Sequence, residues 1–159
     1  MIISGQHLMK DEKSKYILHW IQQLSKIRPE LGNFAICPYA SSAKFTILDE
    51  KLSCIVPNSE YDVIIYVVED EIDAQYLYDA VDDYNHNYPD YKFIADHGKT
   101  KTYIQNIQTS NGKYNLVLCQ PRKELTEARK KLAKTNYYDY WDESYLKEVL
   151  EDDFSEVIE

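Results

Sequence analysis

The sequence predicts an α+β fold: a four- or five-stranded mixed or antiparallel sheet with helices mainly on one face. Three observations carry that expectation. The run Tyr61 to Val68 (YDVIIYVV) is nearly continuous in β-branched and aromatic residues, as a central strand covered on both faces requires. Two stretches, Asp11 to Lys26 and Ile72 to Tyr84, repeat apolar residues at helical spacing. The elements follow one another as helix, strand, strand, helix, strand, strand, helix, helix, an irregular order that suits one sheet with attached helices. Among such arrangements a ferredoxin-like one is the first candidate.

The elements can be justified in chain order. Tyr16, Ile17, Trp20, Ile21 and Leu24 share one helical face, with Lys13, Gln22 and Gln23 outside, and the helix stops before Pro29. Arg28 to Ala40 is broken by Pro29, Gly32 and Pro38, yet Leu31, Phe34, Ile36 and Tyr39 make it too apolar for a free linker. Phe45 to Leu48 and Leu52 to Val56 are short strand candidates before the central run. Acids from Glu69 to Asp73 precede the second helix, where the positive end of its dipole favours them, and Pro89 marks its exit. Tyr91 to Ala95 reads as a strand and Asp96-His97-Gly98 as a turn. Tyr103 to Thr109 and Tyr114 to Gln120 flank Ser110-Asn111-Gly112-Lys113, whose Asn-Gly pair predicts an antiparallel hairpin. Pro121 opens a helix to about Lys134 that turns Leu125, Ala128 and Leu132 inward. The aromatic stretch Tyr137 to Trp141 and an acidic helix from Glu143 to Asp152 close the chain. No repeat or internal boundary emerges, so residues 1–159 are expected to form one domain, with 137–159 an acidic, aromatic, helical tail segment.

Composition excludes several function classes. A net charge of −9 repels phosphate backbones and anionic lipid, so neither nucleic acid nor membrane is expected as a partner. No apolar run approaches the ~20 residues that span a bilayer. The N-terminus has neither a basic region nor a long apolar core, so no signal peptide is expected. Cys37, Cys54 and Cys119 are odd in number and widely spaced, which describes neither a disulfide framework nor a zinc site and points to a reducing, cytoplasmic compartment. The acids from Asp70 to Asp83 lack Ca²⁺-loop spacing and read as a solvated helix face, so no metal is expected. With four glycines and no phosphate-binding loop, no nucleotide cofactor is expected either. The 15 tyrosines, apolar plates with polar tips, suit the edge of a core or a contact surface.

The chemistry-bearing candidates are few. Cys37-Pro38-Tyr39-Ala40 sets a thiol before a proline turn, whose free backbone N–H groups can stabilise a thiolate and make it nucleophilic. His97, at a strand end, is the candidate base, so Cys37 and His97 form the one candidate catalytic pair. The bland alternatives are a cysteine filling a core gap and a surface histidine. Tyr39, Asn106 and Arg122 are candidate ligand-binding residues, and Arg122 near a helix start suits a carboxylate or phosphate. The basic residues Arg122, Lys123, Arg129, Lys130, Lys131 and Lys134 face the acidic segment 139–159, whose only base is Lys147. That asymmetry implies pairing within the molecule, or a partner for each.

Cys37-Pro38-Tyr39 resembles the Cys-Pro-Tyr-Cys of glutaredoxins, and Ala43-Lys44 continues the likeness. Ala40 replaces the resolving cysteine, which excludes a dithiol mechanism, and a helix precedes the motif where a strand belongs. Over most of its length the chain also resembles an uncharacterised bacterial family with a Cys-Pro-Phe-Ala signature. The likeness lies in the helix carrying Trp20, the loop from Leu31 to Ala40, the YDVIIYVV strand, and His97 before the segment Asn106 to Leu118. The chain departs at Gly98, where that family has His-Pro, and at Gln120-Pro121-Arg122, where it has Leu-Arg. The resemblance implies a fold and positions, not a reaction. Two functions follow as expectations. One is a thiol-dependent enzyme, or a small-molecule or peptide binder, built on the Cys37 turn. The other is a non-catalytic acidic protein that docks a basic protein partner through its Tyr-rich C-terminal segment.

Overall fold

A computed structural model describes residues 7–8 and 12–158. Of the N-terminal stretch read above for a leader, residues 1–6 and 9–11 lie outside the described ones, as does Glu159. The fold is α+β. Strands β1 (His7–Leu8), β2 (Phe45–Asp49), β3 (Val63–Val67), β4 (Tyr91–Asp96) and β7 (Leu116–Pro121) form one sheet in the order β1-β2-β3-β7-β4. β2 and β3 run parallel, Phe45 opposite Val63, and β7 lies antiparallel between β3 and β4. Helix α2 (Ala74–Asn87) therefore joins two parallel strands that β7 has parted. That split unit occurs once, so the two interleaved units of a ferredoxin-like sheet are not reproduced.

Both faces are covered, one by α2 alone, so the helices lie mainly on the other. Ile64, Tyr66 and Val68 point to one face, where Leu77 and Val81 of α2 close over them together with Phe93, Val117 and Cys119. Ile65 and Val67 point to the other, where Ile17, Trp20 and Ile21 of α1 (Glu12–Ser25) cover them. The strand run itself demands this, because alternate side chains of β3 are all apolar and neither set can be left in water.

Two local expectations fail for identifiable reasons. Leu52–Cys54 is a single 3₁₀ turn, not a strand: Leu52 and Ile55, three residues apart, both enter the α2-face core, and the Leu52 N–H donates to Glu69. Asn111-Gly112 makes a turn but no hairpin. β5 (Tyr103–Ile104) pairs with β6 (Ile107–Gln108) around Gln105, and β7 goes instead to the centre of the main sheet. Asn111 redirects the chain: its amide donates to Asp96 and to the Tyr114 carbonyl, and its carbonyl accepts the Lys113 and Tyr114 N–H groups. Gly112, at φ 75°, supplies the left-handed step.

After β7, α3 (Arg122–Ala133) is followed by a 3₁₀ turn at Tyr137–Tyr140, α4 (Glu143–Leu150) and α5 (Phe154–Ile158). The basic and acidic segments pair within the molecule: Arg122 with Asp153 at 3.0 Å, Lys130 with Glu156 at 3.3 Å, and buried Lys92 with Glu151 at 2.9 Å. Among the described residues no helix is long and apolar enough to cross a membrane.

Candidate functional site

On the α1 face the covering is incomplete. Trp20, Ile21 and Leu24 of α1 stand on one side and Leu125, Ala128 and Leu132 of α3 on the other of a cleft of about 770 Å³, which also reaches Tyr78, Val81 and Asp82 of α2 at the β4 edge of the sheet. Its floor is the sheet, where Val63, Ile94 and Leu118 remain only half buried. The volume lies within the ~300–1,000 Å³ of ordinary small-molecule pockets.

The Cys37 turn forms the third wall. The Cys37 N–H donates to the Leu24 carbonyl at the end of α1 at 2.9 Å, and the Ala40 N–H donates back to the Cys37 carbonyl at 3.1 Å. The turn is thus pinned to α1 and coiled tightly enough to bring the Tyr39 and Ala40 N–H groups onto the sulfur. Cys37 is exposed to the cleft, with protein packed around its sulfur on the other sides. Burial pushes its pKa up, and the two N–H groups and the nearby Arg129 offset this only in part. The direction of that shift runs against the sequence expectation of an activated thiolate.

The fourth wall is aromatic. The Tyr137 hydroxyl donates to the Ile36 carbonyl, locking the C-terminal segment to the Cys37 loop. Its ring meets Tyr138 at 4.8 Å and Trp141 at 5.6 Å, and Trp141 stacks on Tyr145 at 5.3 Å. The chain of contacts ends where Tyr145 and Thr109 share a hydrogen bond, with Trp20 of α1 donating to the Thr109 carbonyl. Burial raises both phenols beside Arg129, Tyr138 to about 12, so both are neutral.

Arg129 is the one unpaired cation of this cleft among the described residues. It is 9% exposed, lines the cleft from α3, and its Nη1 has no hydrogen-bond partner. Among the described residues no carboxylate forms an ion pair with it. Asp153, the one acid with a marked influence on it, is already taken by Arg122. Burial pulls its pKa down, but a guanidinium stays charged throughout the physiological range.

The other sequence candidates are placed differently. No hydrogen bond links Cys37 to His97 among the described residues. The His97 Nε2 lies 2.6 Å from the Ile72 carbonyl and its Nδ1 3.2 Å from the Lys99 N–H. A carbonyl can only accept and an amide only donate, so the ring is the neutral Nε2–H tautomer and both nitrogens are occupied. His97 forms part of the cleft wall and of a separate polar pocket of about 260 Å³ with Asp70, Asp73 and Asn115. Arg122 does hold a carboxylate, but an internal one: Nη1 lies 3.0 Å from both oxygens of Asp153, while Nε donates to the Pro89 carbonyl. Asn106 is exposed in the β5–β6 turn, away from the cleft walls. Tyr39, 41% exposed, stands at the cleft among the turn residues.

No protein-family model, curated protein or solved structure matches the chain. The likeness to the Cys-Pro-aromatic-Ala family rests on the residues quoted above. Sequence reasoning grouped Arg129 with the basic residues of α3 that were expected to pair with the acidic segment or with a partner. The overlooked signal is its spacing, four residues after Leu125 and three before Leu132, on the inward stripe. A cation there has to be buried.

Proposed function

We propose that the protein binds a small molecule with an apolar body in the cleft beside Cys37. The observation that carries this reading is the uncovered strip of sheet between α1 and α3, where Val63, Ile94 and Leu118 face a space of ligand size, roofed by aromatic rings. Apolar surface left in a concavity of this size is stabilised by an apolar guest. Thiol catalysis draws less support. Burial pushes the Cys37 thiol up, away from thiolate, and the candidate base has both ring nitrogens engaged elsewhere. Docking of a basic partner draws less as well, since the C-terminal acids Glu151, Asp153 and Glu156 already pair with Lys92, Arg122 and Lys130.

The test is titration with N-phenyl-1-naphthylamine, an uncharged dye that brightens on leaving water. Saturable binding at one site is expected, and Ala128→Trp, which puts an indole into the cleft without touching the α2-face core, should remove it. A dye that does not bind the wild type, or that binds the Trp variant equally well, contradicts the reading.

A further inference from the structure

Among the described residues, Arg129 is the one buried charged group of the cleft lining that has no ion-pair partner. Its side chain is more than nine-tenths buried, its Nη1 is satisfied by no protein atom, and it stands at the cleft wall beside the Cys37 turn. We propose, resting on the reading of the cleft as a small-molecule site, that its ligand is an apolar monocarboxylate whose carboxylate binds the Arg129 guanidinium.

Three observations select that chemistry. First, the groups around Arg129 offer hydrogen bonds but no negative charge: Tyr137, Tyr138 and Cys37 surround it, and the carboxylate of Asp153 is engaged at 3.0 Å by Arg122. Anions placed there meet an uncompensated cation. Secondly, the second cation of the lining, Lys92, is paired with Glu151, which leaves Arg129 as the one unpaired cation there among the described residues, and the surfaces beside it include carbon and aromatic rings, Leu125, Leu132, Trp141 and Leu118 among them. One guanidinium suits one planar, singly charged oxyanion, which it can grip in its fork, whereas a phosphate dianion or a dicarboxylate would leave charge stranded against hydrocarbon. Thirdly, of the acids that also border the cleft, Asp62, Asp82, Glu124 and Glu148 are exposed, so water and salt screen them, Glu151 is paired with Lys92 and Asp96 accepts from Asn111, while the guanidinium acts from a dry wall. The cost of taking the guanidinium out of water is already incurred in the folded protein. An arriving carboxylate therefore loses only its own hydration and gains a charge-assisted bond.

The experiment is displacement of N-phenyl-1-naphthylamine by decanoate and by decanol, which share a chain and differ in the head group, on wild type, Arg129→Met and Arg129→Gln. Decanoate should displace the dye from wild type at a concentration about tenfold or more below decanol. Both variants should bind dye and decanol as before and lose the preference for decanoate. Met and Gln are smaller and uncharged, so a fold that tolerates either keeps the comparison readable. Equal displacement by decanoate and decanol from a dye-binding wild type overturns the carboxylate assignment and leaves the cleft reading intact. A preference that survives both substitutions overturns the role of Arg129. Failure of the dye itself to bind overturns the cleft reading, and the carboxylate with it.

Discussion

The two faces of the sheet are built from the same strands and finished differently. On the α2 face, Leu48, Ile64, Tyr66, Val68, Leu77, Phe93, Val117 and Cys119 are all buried. On the α1 face, Ile47, Ile65, Val67 and Leu116 are buried beneath α1, but Phe45, Val63 and Leu118 are only partly covered, and the space beyond them is a cleft. The first face shows what this sequence does when burial alone is at stake. The second stops short of that, and carries in the gap a thiol, an unpaired guanidinium and an aromatic wall.

The sharpest way to break the comparison is to delete equal volume from each face. Leu77→Ala removes a side chain that is 0% exposed and should lower the unfolding free energy by about 2–5 kcal/mol in urea titrations. Leu118→Ala, at the cleft floor, should cost about 1 kcal/mol, because part of its surface is already in water. Equal losses would mean that both faces are packed alike.

A smaller effect concerns the strap over the open face. Arg122→Met leaves the nearly buried Asp153 carboxylate without its ion pair, and a loss of about 1–2 kcal/mol is expected in the same titration. A neutral result would show that α3 and α5 hold together without that pair. Arg129→Met should act in the opposite sense, raising stability by about 1 kcal/mol, since it removes a buried charge that has no partner in the free protein. A destabilised variant would show that the guanidinium has an internal partner. The gentlest probe is kinetic: the rate of Cys37 alkylation by iodoacetamide should rise with pH to a midpoint above the ordinary thiol value of 9.0. The sign is fixed by burial, which favours the uncharged form, so a midpoint below that value would restore the activated thiolate.

Much of the closed face was legible in the sequence, and little of the open one. Helical spacing placed α1 within a residue or so of its observed bounds, and the YDVIIYVV run marked β3 as covered on both sides. That same run required at least one helix on each face, which α2 alone supplies on one side. The Asn-Gly pair gave a turn correctly, but its pairing was decided by the side chain of Asn111 reaching Asp96 across the fold, a contact fifteen residues away that no local rule contains. Leu52 to Val56 was misread because alternation at Leu52, Cys54 and Val56 hid the three-residue spacing of Leu52 and Ile55. At the site, Cys37 was found by its proline turn. The direction of its pKa shift was not, because desolvation depends on everything that packs around the sulfur. Arg129 was legible in principle as a cation on an apolar stripe. That its charge stays unpaired depends on Arg122 having taken Asp153, a fact of tertiary structure.

Whether the cleft holds a guest can be read from the cysteines themselves. Cys37 and Cys54 are both exposed, Cys37 in the cleft wall and Cys54 in the 3₁₀ turn beside the α2 face, while Cys119 is buried. Alkylation of each can be followed by mass spectrometry with and without saturating N-phenyl-1-naphthylamine. The expected result is strong protection of Cys37 with Cys54 unchanged. Equal rates at Cys37 with and without the dye, or equal protection of both sites, would contradict a ligand seated between α1 and α3.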